Sequence, residues 1–154
     1  MEIDRMLCEV IEQERRLRFS RLDLDTIYAV CDEAWRQLSV MGASCYIRAT
    51  VGGCVVYARC MPGASRNNEE WARRKGALCE RYWRSSLHTV LAMTSQGKTL
   101  EEAGLSSVDY GFSGGSFPIL LESGICVGSI TVSGLSGEED HAVVVAALGK
   151  VLGR

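Results

Sequence analysis

The chain has 154 residues, and its 17 Lys and Arg stand against 19 Asp and Glu for a net charge of −2. That length suits one domain able to bury about two thirds of its unfolded surface without a disulfide or metal staple. The near-balance of charge excludes a global field that would gather nucleic acid or an anionic membrane. No apolar run approaches the roughly 20 residues that cross a bilayer, and Met1-Glu2-Ile3-Asp4-Arg5 has neither the apolar core nor the cleavage site of a secretory signal, so the expected compartment is the cytoplasm.

From the N-terminus, Ile3, Leu7, Val10, Ile11 and Leu17 give a helical signal over residues 3–19. A clearer helix follows Asp23 or Asp25, with Ile27, Val30, Cys31, Ala34, Leu38 and Met41 on one face and Gly42 to close it. Residues 44–51 and 54–61 read as a β-hairpin through Gly52-Gly53, a pair that tolerates the positive φ of a tight turn. A two-residue loop sets Val51 against Cys54, Ala49 against Val56, Ile47 against Ala58 and Cys45 against Cys60 on a core side. The opposite side then pairs Tyr46 with Arg59, Arg48 with Tyr57 and Thr50 with Val55, an amphipathic face suited either to a partner or ligand or to solvent.

Beyond Met61-Pro62-Gly63, a long helix is expected from Asn67 or Asn68 to about Gly97, its apolar line running through Trp71, Leu78, Cys79, Tyr82, Val90, Leu91 and Met93. Thr99 and Glu102 have capping-box spacing and predict a short helix, and residues 106–116 read as loop. Strands at 117–122 and 125–133 and a last helix after Ser136 complete the order ααββα(α)ββα. This is an α+β domain with a mainly antiparallel sheet covered by helices.

The seven cysteines are odd in number and never spaced Cys-x-x-Cys, so they read as reduced, small core residues. Gly111-Phe112-Ser113-Gly114-Gly115 spells the hydrolase elbow Gly-x-Ser-x-Gly, yet it sits in a loop before a strand, and Asp140 and His141 are neighbours on a helix that face different directions. A triad is therefore rejected. With only His88 and His141, a three-histidine metal site is excluded. Gly114-Gly115 could offer backbone N–H groups to a phosphate or carboxylate, or simply shape the turn before Pro118. Glu138, Glu139, Asp140 and His141 fill the first turn of the last helix, where acids suit the dipole and where a histidine can serve as acid, base or iron ligand. Lys75 falls on an apolar stripe, which is costly unless its amine reaches an anion, a cleft or solvent.

Pro62-Gly63, Asn68-Glu69-Glu70-Trp71-Ala72-Arg73-Arg74-Lys75, Ser85-Ser86, Gly114-Gly115-Ser116-Phe117-Pro118-Ile119, Gly128-Ser129-Ile130-Thr131-Val132-Ser133-Gly134-Leu135 and Glu139-Asp140-His141 together resemble the haem-degrading domain family. The likeness spans about residues 22–152, with residues 1–21 as a helical extension of a single domain. It implies a profilin-like α-β-α sandwich, a homo-oligomer and a small-molecule ligand, anionic or tetrapyrrole. The shared pattern is matched by Lys75, Gly114, Gly115, Pro118, Asp140 and His141. Arg84 stands where histidine is usual before Ser85-Ser86, and an arginine suits a carboxylate or phosphate better than iron.

Three readings follow. In the first, the protein binds or degrades haem or a related tetrapyrrole, with His141 or a cysteine on iron and Arg73, Arg74 or Lys75 on the propionates. In the second, it is an enzyme for a small anionic metabolite, in which Lys75 and Arg84 clamp the anion, the Gly114-Gly115-Ser116-Phe117-Pro118 loop offers donors beside Trp71 and Ser85, and Asp140 or His141 moves the proton. The third is a non-catalytic homo-oligomeric scaffold.

Overall fold

The computed structural model describes residues 1–154 as five helices and one four-stranded sheet. Helices α1 (Glu2–Arg16) and α2 (Leu24–Met41) precede strands β1 (Tyr46–Val51) and β2 (Cys54–Cys60). Helices α3 (Arg66–Tyr82) and α4 (Ser86–Ser95) come next, then β3 (Ser116–Leu120), β4 (Cys126–Ser133) and α5 (Gly137–Leu152). The sheet is antiparallel throughout, in the order β2-β1-β4-β3.

The two faces of the sheet differ in chemistry, and that difference positions the site. Ile47, Ala49, Phe117, Ile119, Ile130 and Val132 join Ile27, Val30, Ala34 and Leu38 of α2 and Val144, Ala147 and Leu148 of α5 in one apolar core. Each buried Val, Leu, Ile or Phe among them contributes about 1.5–3 kcal/mol. The other face presents Thr50, Ser116, Ser129, Thr131 and Ser133, all buried, to α3. Gly76 lets α3 come close enough that an added Cβ would lie 3.4 Å from Ser129 Oγ, and Glu80 accepts hydrogen bonds from Ser129 at 3.1 Å and Thr50 at 3.3 Å. Hydroxyls satisfied in this way make a polar layer tolerable inside a fold.

The hairpin register departs from the expected one. Val51–Cys54 and Thr50–Val55 pair as anticipated, but a β-bulge then shifts the strand so that Ala49 meets Tyr57, Ile47 meets Arg59 and Tyr46 meets Cys60. One extra residue turns every later side chain of β2 to the other face. Tyr57 consequently donates to Asp32 on α2 at 2.7 Å, and Arg59 lies 4.0 Å over Trp35, so the Tyr46–Arg59 and Arg48–Tyr57 pairs do not form.

The long helix expected up to Gly97 is two helices. Trp83 takes a left-handed φ of 57° and closes α3, and Ser85 then caps α4 by accepting from His88 N at 3.1 Å. The start of α3 is capped by Ser65, whose side chain accepts from Asn67 N while Asn68 returns to Ser65 N. Around Thr99 the capping hydrogen bond from Glu102 N forms, at 3.2 Å, but the chain continues as turns instead of a helix. Helix α1 packs on α4 through Val10, Leu87 and Leu91, and Glu14 of α1 accepts from Ser85 N at 2.9 Å.

Candidate functional site

Lys75 projects from the stripe of α3 into the seam where α3, the loop before β3, the end of β4 and the start of α5 meet. All three of its protons are used: its Nζ donates to Gly114 O at 3.0 Å, Val132 O at 2.7 Å and Asp140 Oδ2 at 3.0 Å. Asp140 is oriented by two backbone amides, Leu135 N at 2.9 Å on Oδ1 and Gly134 N at 3.4 Å on Oδ2. Both side chains are 2% exposed. Desolvation pulls the Lys75 amine below its usual range and pushes the Asp140 carboxyl above its own, and the attraction between the two opposes both shifts. The pair thus answers the cost of a lysine on an apolar stripe with an anion and two carbonyls.

The glycine pair is shaped by this amine. Gly115 has φ +129°, and a Cβ there would run onto Lys75 Nζ and sit 2.6 Å from Val132 O, so only glycine fits. Above the pair opens a cavity of about 190 Å³ with Asn68 and Trp71 of α3, Ser113, and Ser133 at the end of β4 on its walls. Its floor is a neutralised ion pair. Its walls carry the Asn68 amide, the Trp71 side chain and the hydroxyls of Ser113 and Ser133, of which Ser113 donates to Gly114 O at 3.5 Å, while both Asp140 oxygens are occupied by protein donors. An acceptor-bearing molecule of a few heavy atoms matches such a lining.

The residues expected from sequence divide into those that meet here and those that do not. Lys75, Asp140, Trp71 and the carbonyl of Gly114 come together. Arg73 is spent on Glu70 and on Val108 O at 3.2 Å. Arg74 stacks 4.1 Å over Trp71 and donates to Ser107 O, so the two arginines fasten the 106–111 loop. Arg84 donates to Thr89 Oγ1 at 2.9 Å beside Tyr82 and is not on the cavity wall, so no Lys75–Arg84 clamp is built. Ser85 caps α4, Ser116 accepts from Thr131 at 2.8 Å, Phe117 lies in the core and Pro118 pairs with Ser129 within the sheet. Asn68, Ser113 and Ser133 were not singled out as site residues. Ser133 lies in the Val-Ser-Gly-Leu block, whose position at a strand end was the available signal.

His141, next to Asp140 on α5, faces α1 instead. Its Nε2 lies 2.7 Å from Gln13 Oε1, its ring is 5.7 Å from Phe117, and its buried Nδ1 has no partner. Burial holds its pKa down to about 4, so the imidazole is neutral. It floors an apolar cleft of about 280 Å³ between Met6 and Val10 of α1 and Ala142 and Val145 of α5, rimmed by Glu9 and Glu138.

Enclosed haem does not fit these residues. A bound macrocycle needs a free axial nitrogen, a wide apolar slot and cations for its propionates. Here Nε2 is taken by Gln13, the unpartnered Nδ1 is buried, the rim is acidic, and both cavities fall below the roughly 300–1,000 Å³ of pockets that enclose drug-sized ligands.

Comparison with known proteins bears on the same architecture. The haem-degrading HbpS-like family profile matches residues 22–149. A UPF0303 protein of Rhizobium rhizogenes is 40% identical over 153 residues, 99% of this chain and 94% of that one. Among solved structures, the Ybr137w protein superposes with a TM-score of 0.87 at 23% identity, over 96% of this chain and 90% of that chain. A PduOC:heme complex superposes with a TM-score of 0.71 at 20% identity, over 83% and 93%. Identities at this level carry the fold.

Proposed function

The chain belongs to the haem-degrading HbpS-like family, and from that premise we propose that it is a ligand-binding protein whose ligand is a small oxyanion-bearing molecule seated over the Lys75–Asp140 pair. The observation that carries this is the polar wall of Asn68, Trp71, Ser113 and Ser133 above a charge-neutral, fully hydrogen-bonded floor. Because each Lys75 proton is already held by the protein, the lysine acts here as a fixed donor that shapes the floor and not as a nucleophile. The absence of a second cation on the wall favours a carboxylate over a multiply charged phosphate. Self-association and residence in a reducing compartment belong to the same proposal; the seven unpaired thiols accord with the latter.

A second reading is favoured by one specific observation, the heme of the PduOC relative. On this reading haem lies against the outside of the chain or between copies.

Titration calorimetry separates the two. Oxalate, acetate, inorganic phosphate and haemin are titrated into the wild type and into Ser133→Ala and Asn68→Ala. Saturable carboxylate binding weakened about fivefold by each variant, the loss of roughly 1 kcal/mol of hydrogen bonding, supports the first reading. Stoichiometric haemin binding with no carboxylate response replaces it with the second.

A further inference from the structure

We propose that the cleft between α1 and α5 is a second ligand site, independent of the Lys75 cavity, and that it takes a phenol bearing a short cationic arm. The phenol hydroxyl donates to the His141 imidazole and the arm meets Glu138.

The acceptor comes first. His141 Nδ1 is the one buried side-chain nitrogen or oxygen in the molecule without a hydrogen-bond partner, and a buried polar atom left in that state is costly. In the neutral ring, Nε2 donates to Gln13 Oε1 at 2.7 Å, which leaves Nδ1 as a bare lone pair. What it lacks is an O–H or N–H donor.

The cleft beside it suits a flat ring. Ala142 and Ala146, one turn apart on α5, line one wall with nothing larger than a methyl group. Met6 and Val10 of α1 and Leu87 of α4 close the other sides, and a methionine thioether makes favourable contact with an aromatic ring. The volume of about 280 Å³ exceeds the roughly 150 Å³ that holds a benzene ring. Room for a short arm remains.

Charge selects that arm. Glu138 stands at the rim with no ion pair inside the chain, and Glu9 opposite it is shared only with Arg5, at 3.7 Å. Glu138 lies three residues before His141 on the same helix, so their Cβ atoms are about 5–6 Å apart, a span that a substituted ring bridges. A carboxylate arm is repelled there, which separates this site from the one over Lys75.

Entry to Nδ1 needs a small outward shift of α1, because the atom is closed to solvent. Of its fifteen residues this helix buries only Val10 and Glu14, so few contacts oppose the movement, and Glu14, held by Ser85 N, is the pivot. A hydroxyl entering end-on requires room for one oxygen. An iron macrocycle would have to lay its whole face over the nitrogen.

Titration calorimetry of the full-length chain at neutral pH tests the site, with far-UV circular dichroism as the fold control. Tyramine is the probe, phenethylamine is the same molecule without the hydroxyl, and para-hydroxyphenylacetate reverses the charge of the arm. The expected result is one tyramine per chain, phenethylamine binding about fivefold weaker for want of one hydrogen bond, and no binding of the acid. His141→Phe keeps a ring and removes the acceptor, so it brings tyramine down to the level of phenethylamine and leaves phenethylamine unchanged. Ala142→Leu fills the cleft from an exposed position and abolishes both. Should His141→Phe misfold, Ala142→Leu and the comparison of the two amines decide. The proposal is overturned by a wild type that tyramine does not saturate, by equal binding of the two amines, or by tyramine binding that the folded variants leave unchanged.

Discussion

Replacing Lys75 with methionine keeps the length of the side chain and removes its charge. The change leaves Asp140 in a 2% exposed position with only the Gly134 and Leu135 amides for company, and strips the carbonyls of Gly114 and Val132 of their shared donor. Removing one partner of a buried ion pair costs about 3–5 kcal/mol, because the remaining charge is stranded. Against a typical domain stability of about 5–15 kcal/mol this is a large fraction. Urea denaturation at neutral pH followed by circular dichroism reads the loss as a shift in midpoint at constant slope. The double variant Lys75→Met/Asp140→Asn neutralises both members while an amide oxygen still accepts from the loop, so it should be at least about 2 kcal/mol more stable than the sum of the single losses. A Lys75→Met cost under about 1 kcal/mol, or strict additivity in the double variant, refutes the reasoning.

Two further outcomes are expected. His141 has its pKa lowered from 6.5 to about 4 by burial, so between those values the unfolded chain binds more protons and stability rises with pH. That contribution is fully present above pH 6.5 and is lost as the pH falls through 4; it amounts to about 3 kcal/mol, and His141→Phe should flatten the pH dependence of the urea midpoint across that window. Gly115→Ala, with its methyl forced onto Lys75 Nζ at φ +129°, should lower the urea midpoint sharply, whereas Gly52→Ala, at a turn with open space around it, should cost only its φ strain of about 1–2 kcal/mol.

Much of the fold was legible because local patterns and tertiary packing agreed. Asp23 and Gly42 bound α2, and Ser136 with Glu139 start α5, where periodicity and capping placed them. The bulge in β2 was not legible, since no glycine or proline marks it and Ala49-Thr50 reads as ordinary strand. Nor was the break at Trp83, a residue that rarely takes φ above zero; the buried Ser85 and Ser86, tied to Glu14 and Ser116, hold the break from outside the helix. Lys75 stood out as a charge on an apolar line. Its partner could not be paired with it across 65 positions by local pattern alone. The arginines misled for a related reason: basic residues beside Lys75 suggested an anion clamp, and their guanidinium groups instead serve loop carbonyls.

The most direct test of the account is a nitrogen–proton correlation spectrum of the labelled protein titrated with oxalate. The account predicts saturable shifts of the Trp71 indole and Asn68 amide peaks and of the Gly134 backbone amide, attenuated in Ser133→Ala. A spectrum in which those peaks stay fixed while oxalate or haemin moves others, or moves none, contradicts it.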